Sequence, residues 1–599
     1  MAGPEPREDR VPPPAARIAG VVVGITLLAL SLAKYPGYLP PAVVRHPWTT
    51  VGCLAAALAV AFVPACARLR ALLNRVLFES SPRAFHLALF LTAVALYGAV
   101  NQSVFKGIPR ISDEVTYLFQ ARIFARGHLT LPLPPCPEFF ELIWVLGADA
   151  QLGHWCSIYS PGWPLLLVAG VLCRAPWIVN PLLGGLLVVV IALFGADLFG
   201  KRAGRFAGLV ALFSPLQTII SSSHLAHTST ALFLLLCAWS VWRMLRTGRT
   251  VFGLLAGAAW GMALLCRPVT AVAMGLGIGL MPLFSWRATL AAWRGVLAAA
   301  VMALLAVALL AGWNYETTGN PRTMGHQVAM GDEARLGFIP FEDGRHQHTP
   351  ARGWRLTLQR LRLLSDRLIG WPVPAFLVVM LPFLAGRARG ADLWLLAVWL
   401  ALVATYFLYW YWEAELPTRY ISEAMPMLFI LAGRACDLLS GFSRDRARPG
   451  PLARAGSALV ASGFLASALV AQPFELHKFG PNYIDVEDAL PRVMRDHNVH
   501  HAVVFMRAHG QAGEREYVDN TASFYETGFM RNDLDMKGDV IYARDLGERR
   551  NRALMERYPG RTYYSYIYLR AHRDGKLYEL LPSADGSGVE RKLLYAPPQ

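Results

Sequence analysis

Long apolar stretches recur along the first 470 residues, with short polar connections between them. A stretch of about 17–25 apolar residues is long enough to cross the hydrocarbon core of a bilayer as a helix. The pattern therefore predicts a polytopic α-helical membrane protein with about 13 transmembrane helices. The predicted spans lie near residues 18–33, 48–67, 86–101, 177–199, 205–221, 227–245, 251–266, 269–285, 295–313, 371–386, 393–411, 418–435 and 454–471.

The composition agrees with this class of protein. Of the 599 residues, 55% are hydrophobic and only 16% are charged, whereas a soluble domain carries roughly 25% charged residues. The mean hydropathy of +0.37 also favours a membrane protein. A soluble globular protein is therefore excluded.

Basic residues are distributed unevenly between the two sides of the predicted topology. Alternate connections, starting with residues 1–17, hold most of the loop Lys and Arg, and the short connections on the other side hold only Lys34, Arg45 and Arg267. Because basic loops stay in the cytoplasm, the N-terminus is predicted to be cytoplasmic. We expect an integral protein of the plasma (inner) membrane whose C-terminal domain is extracytoplasmic.

The chain divides into three predicted parts. Residues 1–85 form a cytoplasmic N-terminus with an extra transmembrane hairpin. Residues 86–471 form a membrane domain with large external loops at 102–176 and 314–370. Residues 472–599 form a small soluble α/β domain outside the membrane.

The C-terminal part changes in composition from Gln472 onward. The segments "HAVVFMR" (501–507), "GDVIYAR" (538–544) and "TYYSYIYLR" (562–570) are rich in β-branched and aromatic residues and predict strands. Between the last two, "LGERRNRALMERYPG" (546–560) predicts a helix. No metal-ligand spacing, nucleophile motif or phosphate-binding loop occurs in this part.

Two apolar or amphipathic segments lie within the predicted external loops. The segment 159–173 is apolar but short for a full crossing, and counting it as a span would place the basic "GKRAG" outside, so we expect a re-entrant or surface-lying segment. The segment 352–370 alternates leucines with five arginines, which is typical of a helix in the headgroup layer.

Two adjacent acids, Asp113 and Glu114, begin the sequence "SDEVTYLFQARIF" in the first external loop. Ser112 can cap a helix there, and acids suit its first turn, so an ordinary surface-helix N-terminus accounts for the pair. Alternatively, one carboxylate serves as a general base beside a cavity in the membrane. The residues alone leave both interpretations open.

Several segments in order resemble a known superfamily. They are the Asp-Glu pair, "YSPGWPLLL" (159–167), "LFGADLFGKRAGRFAGLVALFSP" (193–215), "WNYETTGNPRTMGHQ" (313–327) and "PTRYISEAMPMLFILAG" (417–433). Together they resemble the C superfamily of polyprenyl-phosphate-sugar-dependent membrane glycosyltransferases, in the protein-mannosyltransferase and aminoarabinose-transferase-like branch. The resemblance covers about residues 86–435.

The resemblance implies roles for the acids and for a lipid donor. It implies that Asp113 is the catalytic base, that Glu114 assists it, and that basic residues at the outer membrane surface hold a lipid phosphate.

Four residues are candidates for binding the donor phosphate. Arg267 lies between two apolar spans, where an ionisable group usually faces a partner or a cavity. Arg419 could contact a phosphate in a bidentate manner, with Tyr420 beside it. The alternative for Arg419 is a salt bridge with Glu423 or Glu415. Arg322, in the Gly-Asn-Pro segment, is a weaker candidate.

His224 and His227 stand where many relatives carry another acid. They are three residues apart and so share one helical face. They could bind phosphate, hold a divalent metal ion with a carboxylate, or supply an acid-base partner. The alternative is that they are interfacial polar residues in contact with water. No cofactor is otherwise indicated.

Aromatic residues of the first loop are candidates for a substrate cavity. Tyr117, Tyr159 and Trp163 could line a cavity for a sugar or isoprenoid, although aromatic belts at membrane interfaces are common. Cys136 and Cys156 share the same loop, and a disulfide between them stays open.

The sequence therefore predicts a membrane glycosyltransferase. It moves a sugar from a polyprenyl-phosphate donor to an extracytoplasmic glycan, lipid or protein acceptor, with membrane lipids and no nucleic acid as its other partners. A secondary transporter of an anionic or lipid-linked solute is the alternative. Transporters generally place ionisable groups near the membrane midplane, whereas here they cluster at one face.

Overall fold

The computed structural model describes residues 41–147, 153–338, 347–411, 416, 418–441, 450–479, 489–509, 525–569, 574–582 and 589–597. The chain forms two compact units. The helical unit comprises Met1–Val100, Asn180–Leu309 and Asp332–Lys478. The mixed unit comprises Asn101–Val179, Leu310–Gly331 and Phe479–Gln599.

Six helices in the described residues are long and apolar enough to cross a membrane, or up to eight spans if each of two bent pairs counts as one. Such helices indicate an integral membrane protein. They are Pro82–Ser103, Pro176–Phe199, His227–Thr247, Trp293–Thr318, Gly390–Phe407 and Pro451–His477. Each overlaps a predicted span. The count of thirteen stays a prediction, and its first span, 18–33, lies outside the described residues.

Prolines break or bend several other predicted spans. Lys201–Leu212 and Pro215–Ser222 are bent by 62° at a break next to Pro215. Proline cannot donate a backbone hydrogen bond and disfavours helical geometry in the residue before it. The predicted span 371–386 is likewise divided into Ala375–Val379 and Leu381–Leu384.

The remaining helices of the helical unit are shorter or less apolar. They are Pro41–Arg45, Pro47–Phe62, Ala67–Asn74, Thr250–Cys266, Pro268–Phe284, Trp286–Ala291, Pro350–Arg367, Arg419–Ser422, Met425–Ser440 and Gln472–His477. Pro350–Arg367 confirms the predicted amphipathic helix. Its Arg360 is buried and donates to the carbonyls of Tyr406 and Tyr411. This arginine therefore holds the helix against residues 406–411 and does not face lipid headgroups.

The mixed unit contains a five-stranded sheet. In spatial order its strands are Val540–Arg544, Ala502–His509, Thr562–Leu569, Asp574–Pro582 and Val589–Tyr595. The first three run parallel, with Val503 opposite both Ile541 and Tyr563, and the last two are antiparallel. The three predicted strands and the helix Glu548–Arg557 are confirmed.

The other elements of the mixed unit come from the first loop and from two short segments. They are the helices Ser112–Ala125, Gly162–Leu172, Gly325–Met330 and Ala489–Asp496, and a small antiparallel sheet of Leu131–Pro132, His154–Ser157 and Val145–Leu146. Gly162–Leu172 is too short to count as a span by itself. Cys136 and Cys156 are free thiols, so the disulfide is absent.

The first loop and the C-terminal sheet share one hydrophobic core. The ring of Phe119 lies 5.0 Å from that of Trp155 and 5.6 Å from that of Phe529. The hydroxyl of Tyr525 donates to the carbonyl of Phe139 at 2.8 Å. Packing of this kind holds the Asp-Glu helix against C-terminal residues that are about 400 positions away in sequence.

Candidate active site

Arg267 occupies the junction between two apolar helices of the helical unit. Thr250–Cys266 ends just before it and Pro268–Phe284 begins just after it. Because a proline follows, Arg267 has an extended conformation (φ −146°, ψ 89°). The chain therefore turns at this residue and presents its guanidinium to the neighbouring helices.

Glu423 is the acid that pairs with Arg267. The Nε atom of Arg267 lies 2.6 Å from Oε1 of Glu423, whose side chain is completely buried. Each charge needs the other, because removing one partner of a buried ion pair is strongly destabilising. The pair therefore keeps both side chains in place. From the sequence, Glu423 was expected only as a partner of Arg419, and the structure adds Arg267 as its partner. Glu415, the other candidate, lies outside the described residues.

Two guanidinium groups converge on the ring of Tyr420. Arg267 lies 5.5 Å and Arg419 5.3 Å from its centroid, both within cation–π range. The ring of Tyr406 stacks on Tyr420 at 5.0 Å with an interplanar angle of 6°. The Tyr406 hydroxyl is 2.9 Å from that of Thr270. Sequence reasoning missed Tyr406, although the aromatic-rich "TYFLYWYW" was a signal.

We call the set Arg267, His227, Arg419, Tyr420 and Glu423 the arginine cluster. It lies entirely in the helical unit. Three of the four predicted phosphate-binding residues are thus close together. The fourth, Arg322, is exposed and belongs to the mixed unit, where its backbone N–H donates to Oδ1 of Asn320.

The two histidines are buried, so their interpretation as water-exposed interfacial residues is wrong. His224 and His227 are 2% and 1% exposed. The Nε2 atom of His227 is 3.8 Å from Oε1 of Glu423. The helix Pro215–Ser222 ends just before this segment. Asn180 anchors residues 223–225 by donating to the carbonyls of Ser223 and Leu225.

The described part of the chain does not provide a set of metal ligands. Among those residues, no three His, Cys, Asp or Glu side chains are grouped so that they could hold a metal ion.

The predicted acids begin the helix Ser112–Ala125, which we call the acid helix. Asp113 is 9% and Glu114 2% exposed, and most other side chains of the helix are also buried, so it is not a surface helix. Ser112 is its first residue and does not serve as the predicted side-chain cap. Instead, Oε2 of Glu114 accepts the backbone N–H of Arg110 at 2.6 Å.

A third acid, Glu526, adjoins the start of the acid helix. The Ser112 hydroxyl donates to its Oε2 atom at 3.0 Å. Its side chain is buried, and that burial, opposed by the Ser112 hydrogen bond and reinforced by the charge of Asp113, raises its pKa to about 7. Sequence reasoning missed this acid because no local pattern marks it.

A cavity of about 220 Å³ lies beside these residues within the mixed unit. Its polar lining comes from Arg110, Glu526, Thr527 and Arg531, and Val115 contributes an apolar wall. Such a mixture of cationic, acidic and hydroxyl groups suits a polar ligand.

The predicted aromatic residues have different surroundings. The rings of Tyr117 and Tyr159 are 4.6 Å apart, and His326 lies 4.8 Å from Tyr159. Tyr117 and Trp163 are fully buried. The structure therefore brings Tyr117 and Tyr159 together as a packed pair, whereas Trp163 is buried at the start of the helix Gly162–Leu172.

Comparisons with known proteins find similarity at the level of structure. No protein-family model and no curated protein matches the chain. It is similar to ArnT from Cupriavidus metallidurans bound to undecaprenyl phosphate, with 13% identity, a TM-score of 0.49, and coverage of 80% of this chain and 92% of that one. Apo ArnT from the same organism gives 14% identity, a TM-score of 0.47 and coverages of 81% and 93%.

A second kind of neighbour is the archaeal oligosaccharyltransferase AglB from Archaeoglobus fulgidus in complex with an inhibitory peptide and a dolichol-phosphate. The identity is 12%, the TM-score 0.39, and the match covers 81% of this chain and 69% of that one. Both neighbours are of the kind expected from the sequence resemblance. Since the likeness is distant, the function of this chain is inferred from its own residues.

Proposed function

We propose that the protein is a membrane glycosyltransferase that moves a sugar from a polyprenyl-phosphate donor to an extracytoplasmic acceptor. The observation that carries the proposal is the convergence of Arg267 and Arg419 on Tyr420 between apolar helices. A lipid-linked phosphate combines the two requirements of such a place, since its charge suits guanidinium groups and its chain suits apolar helices.

The arginine cluster holds the donor phosphate. Guanidinium groups bind phosphate through parallel N–H donors and stay charged at physiological pH. As the sugar–phosphate bond breaks, negative charge grows on the leaving phosphate, and fixed cations stabilise it most in that state. Glu423 orients Arg267 through their ion pair at 2.6 Å. The undecaprenyl phosphate bound to ArnT is a lipid phosphate of the class proposed here.

Asp113 is the general base. The acceptor hydroxyl or amine attacks the anomeric carbon of the sugar, and its proton passes to the carboxylate of Asp113. The bond from the anomeric carbon to the phosphate oxygen breaks, and its electron pair leaves with the polyprenyl phosphate. Glu114 assists by holding the backbone N–H of Arg110, which fixes the entry to the acid helix.

A turnover assay tests this proposal. The purified protein is reconstituted in proteoliposomes with synthetic polyprenyl phosphates that each carry one labelled sugar, and with an envelope extract as the source of acceptor. We expect at least one donor to lose its sugar to the extract and to yield free polyprenyl phosphate. Movement of an intact donor or anion across the bilayer without cleavage would instead establish the transporter.

Asp113→Asn is the matched variant in the same assay. It keeps the size of the side chain and removes the basic carboxylate. We expect it to bind the donor and to leave the sugar in place. Equal turnover by this variant and the wild type would refute the role of Asp113.

A further inference from the structure

Glu526 is a buried acid that the proposed reaction does not yet use. It lies in the short helical segment 525–529 of the C-terminal region. Its side chain is only 2% exposed. It accepts the hydroxyl of Ser112 at 3.0 Å, from a residue 414 positions away in sequence. Ser112 directly precedes Asp113, so Glu526 is connected by one hydrogen bond to the turn that carries the proposed base.

The charged groups that face Glu526 come from three segments. The acid helix contributes Asp113, whose charge acts on Glu526, the segment before it contributes Arg110, and the segment that follows Glu526 contributes Arg531. Glu526, Arg110 and Arg531 line the 220 Å³ cavity. A buried carboxyl group that borders a polar cavity can change its charge when protons or ligands enter.

Burial and the negative charge of Asp113 hold the pKa of Glu526 at about 7. The Ser112 hydroxyl opposes this rise in pKa because it donates to the carboxylate, and a hydrogen bond to an ionised acceptor is stronger than one to a neutral acceptor. An ionised Glu526 therefore holds Ser112 more firmly than a protonated Glu526 does.

We propose that Glu526 is a positioning residue for sugar transfer: it accepts the Ser112 hydroxyl, fixes the first turn of the acid helix, and does so most firmly when it is ionised. The inference rests on the proposed function, since it assigns the C-terminal region a part in that same reaction.

The test is the pH dependence of turnover in three variants. The wild-type rate is expected to rise about 3- to 10-fold as the pH increases through 7. Glu526→Gln keeps an oxygen for the Ser112 hydroxyl but cannot ionise, so it should stay at the low-pH rate. Glu526→Ala also loses the hydrogen bond and should be slower at every pH. Asp574→Asn, a buried acid of the same sheet domain, should follow the wild-type profile.

Thermal unfolding gives a second measurement that needs no donor. Because the pKa of Glu526 is raised from 4.5 to about 7, its contribution to stability is present at low pH and is lost as the pH rises through 7. The wild-type Tm should therefore fall relative to that of Glu526→Gln between about pH 4.5 and 7 and then change in parallel.

The outcomes separate the two proposals. Turnover by the wild type with the same pH profile in Glu526→Gln overturns the role of Glu526 and leaves the glycosyltransferase intact. Absence of turnover at every pH, with all donors, overturns the proposed function itself and the inference with it. A merely structural role predicts lower stability in Glu526→Ala with no change in the shape of any pH profile.

Discussion

The arginine cluster and the acid helix both bury charged groups, but they hold them in different ways. In the arginine cluster, Arg267 is paired with the opposite charge of Glu423 at 2.6 Å. At the start of the acid helix, Glu114 accepts the backbone N–H of Arg110 and Glu526 accepts the hydroxyl of Ser112. The arginine cluster fixes its charge through an ion pair, whereas Glu526 accepts a neutral hydroxyl and has a pKa raised to about 7 by burial.

This difference matches two chemical tasks. A guanidinium remains charged at any physiological pH, which suits an anion that must be held throughout the reaction. A carboxyl group with neutral partners and a pKa near 7, as at Glu526, suits a site in which protons move. The comparison therefore predicts that variants of the arginine cluster change donor binding, whereas variants of the acid helix change turnover.

Asp113→Asn is expected to have the largest effect. Loss of a general base lowers turnover by about 100- to 10,000-fold. Donor affinity should stay within about 3-fold of the wild type, because the change does not touch the arginine cluster. Initial rates and donor titrations measure the two quantities separately. A matched loss of affinity and rate would break the division of tasks.

The arginine cluster is tested by removing its ion pair as a unit. Removing Arg267 alone would leave Glu423 buried without this partner, so the double variant Arg267→Gln/Glu423→Gln is used. Loss of charge-assisted contacts to phosphate should weaken donor binding about 10- to 100-fold. The matched control is Arg434→Gln/Asp392→Asn, which removes another buried pair of the helical unit at 3.2 Å.

The control pair defines the outcome. Donor binding by the Arg434/Asp392 variant should remain near that of the wild type if the protein folds. Equal weakening in both double variants would attribute the effect to loss of structure and would contradict the phosphate site.

Tyr420 provides an intermediate effect. Tyr420→Leu removes the ring on which both guanidinium groups lie, and a cation–π contact contributes about 0.5–2 kcal/mol. Donor binding should weaken about 3- to 10-fold, whereas Tyr420→Phe keeps the ring and should remain close to the wild type. If phenylalanine weakens binding as much as leucine does, then the hydroxyl, and not the ring, is what matters.

The smallest effect is expected at Glu141, which pairs with Arg544 at 2.6 Å. Both side chains are about a third or more exposed, and such ion pairs contribute about 0–1 kcal/mol to stability. Glu141→Gln should leave turnover and its pH profile unchanged and should lower Tm only slightly. A large loss of activity would show that burial does not separate the acids of the mixed unit that take part in turnover from those that do not.

The local elements were predictable because periodicity and composition encode them. The amphipathic helix Pro350–Arg367 and the strand Ala502–His509 both follow from their residue patterns. The strands Asp574–Pro582 and Val589–Tyr595 were missed, because charged residues and a glycine obscure their alternation. Prolines such as Pro215 turned a predicted span into a bent pair of helices.

Long-range contacts were not predictable from the same patterns. Arg267 and Arg419 were candidates because each is a charged residue beside an apolar run, and Asp113 was a candidate because the family resemblance implies a catalytic base there. It did not reveal that Arg267 pairs with Glu423 or that Ser112 bonds to Glu526, since these partners lie far away in sequence. Burial of His224 and His227 was also missed, because serine- and threonine-rich sequence resembles an exposed loop.

Mass spectrometry of the lipid that copurifies with the protein tests the central claim most directly. We predict a polyprenyl-phosphate sugar bound to the wild type, to Asp113→Asn and to the Arg434/Asp392 double variant, and its loss from Arg267→Gln/Glu423→Gln. Absence of any lipid-linked sugar from the folded wild type, or equal retention by all four proteins, would contradict the assignment of the arginine cluster as the donor-phosphate site.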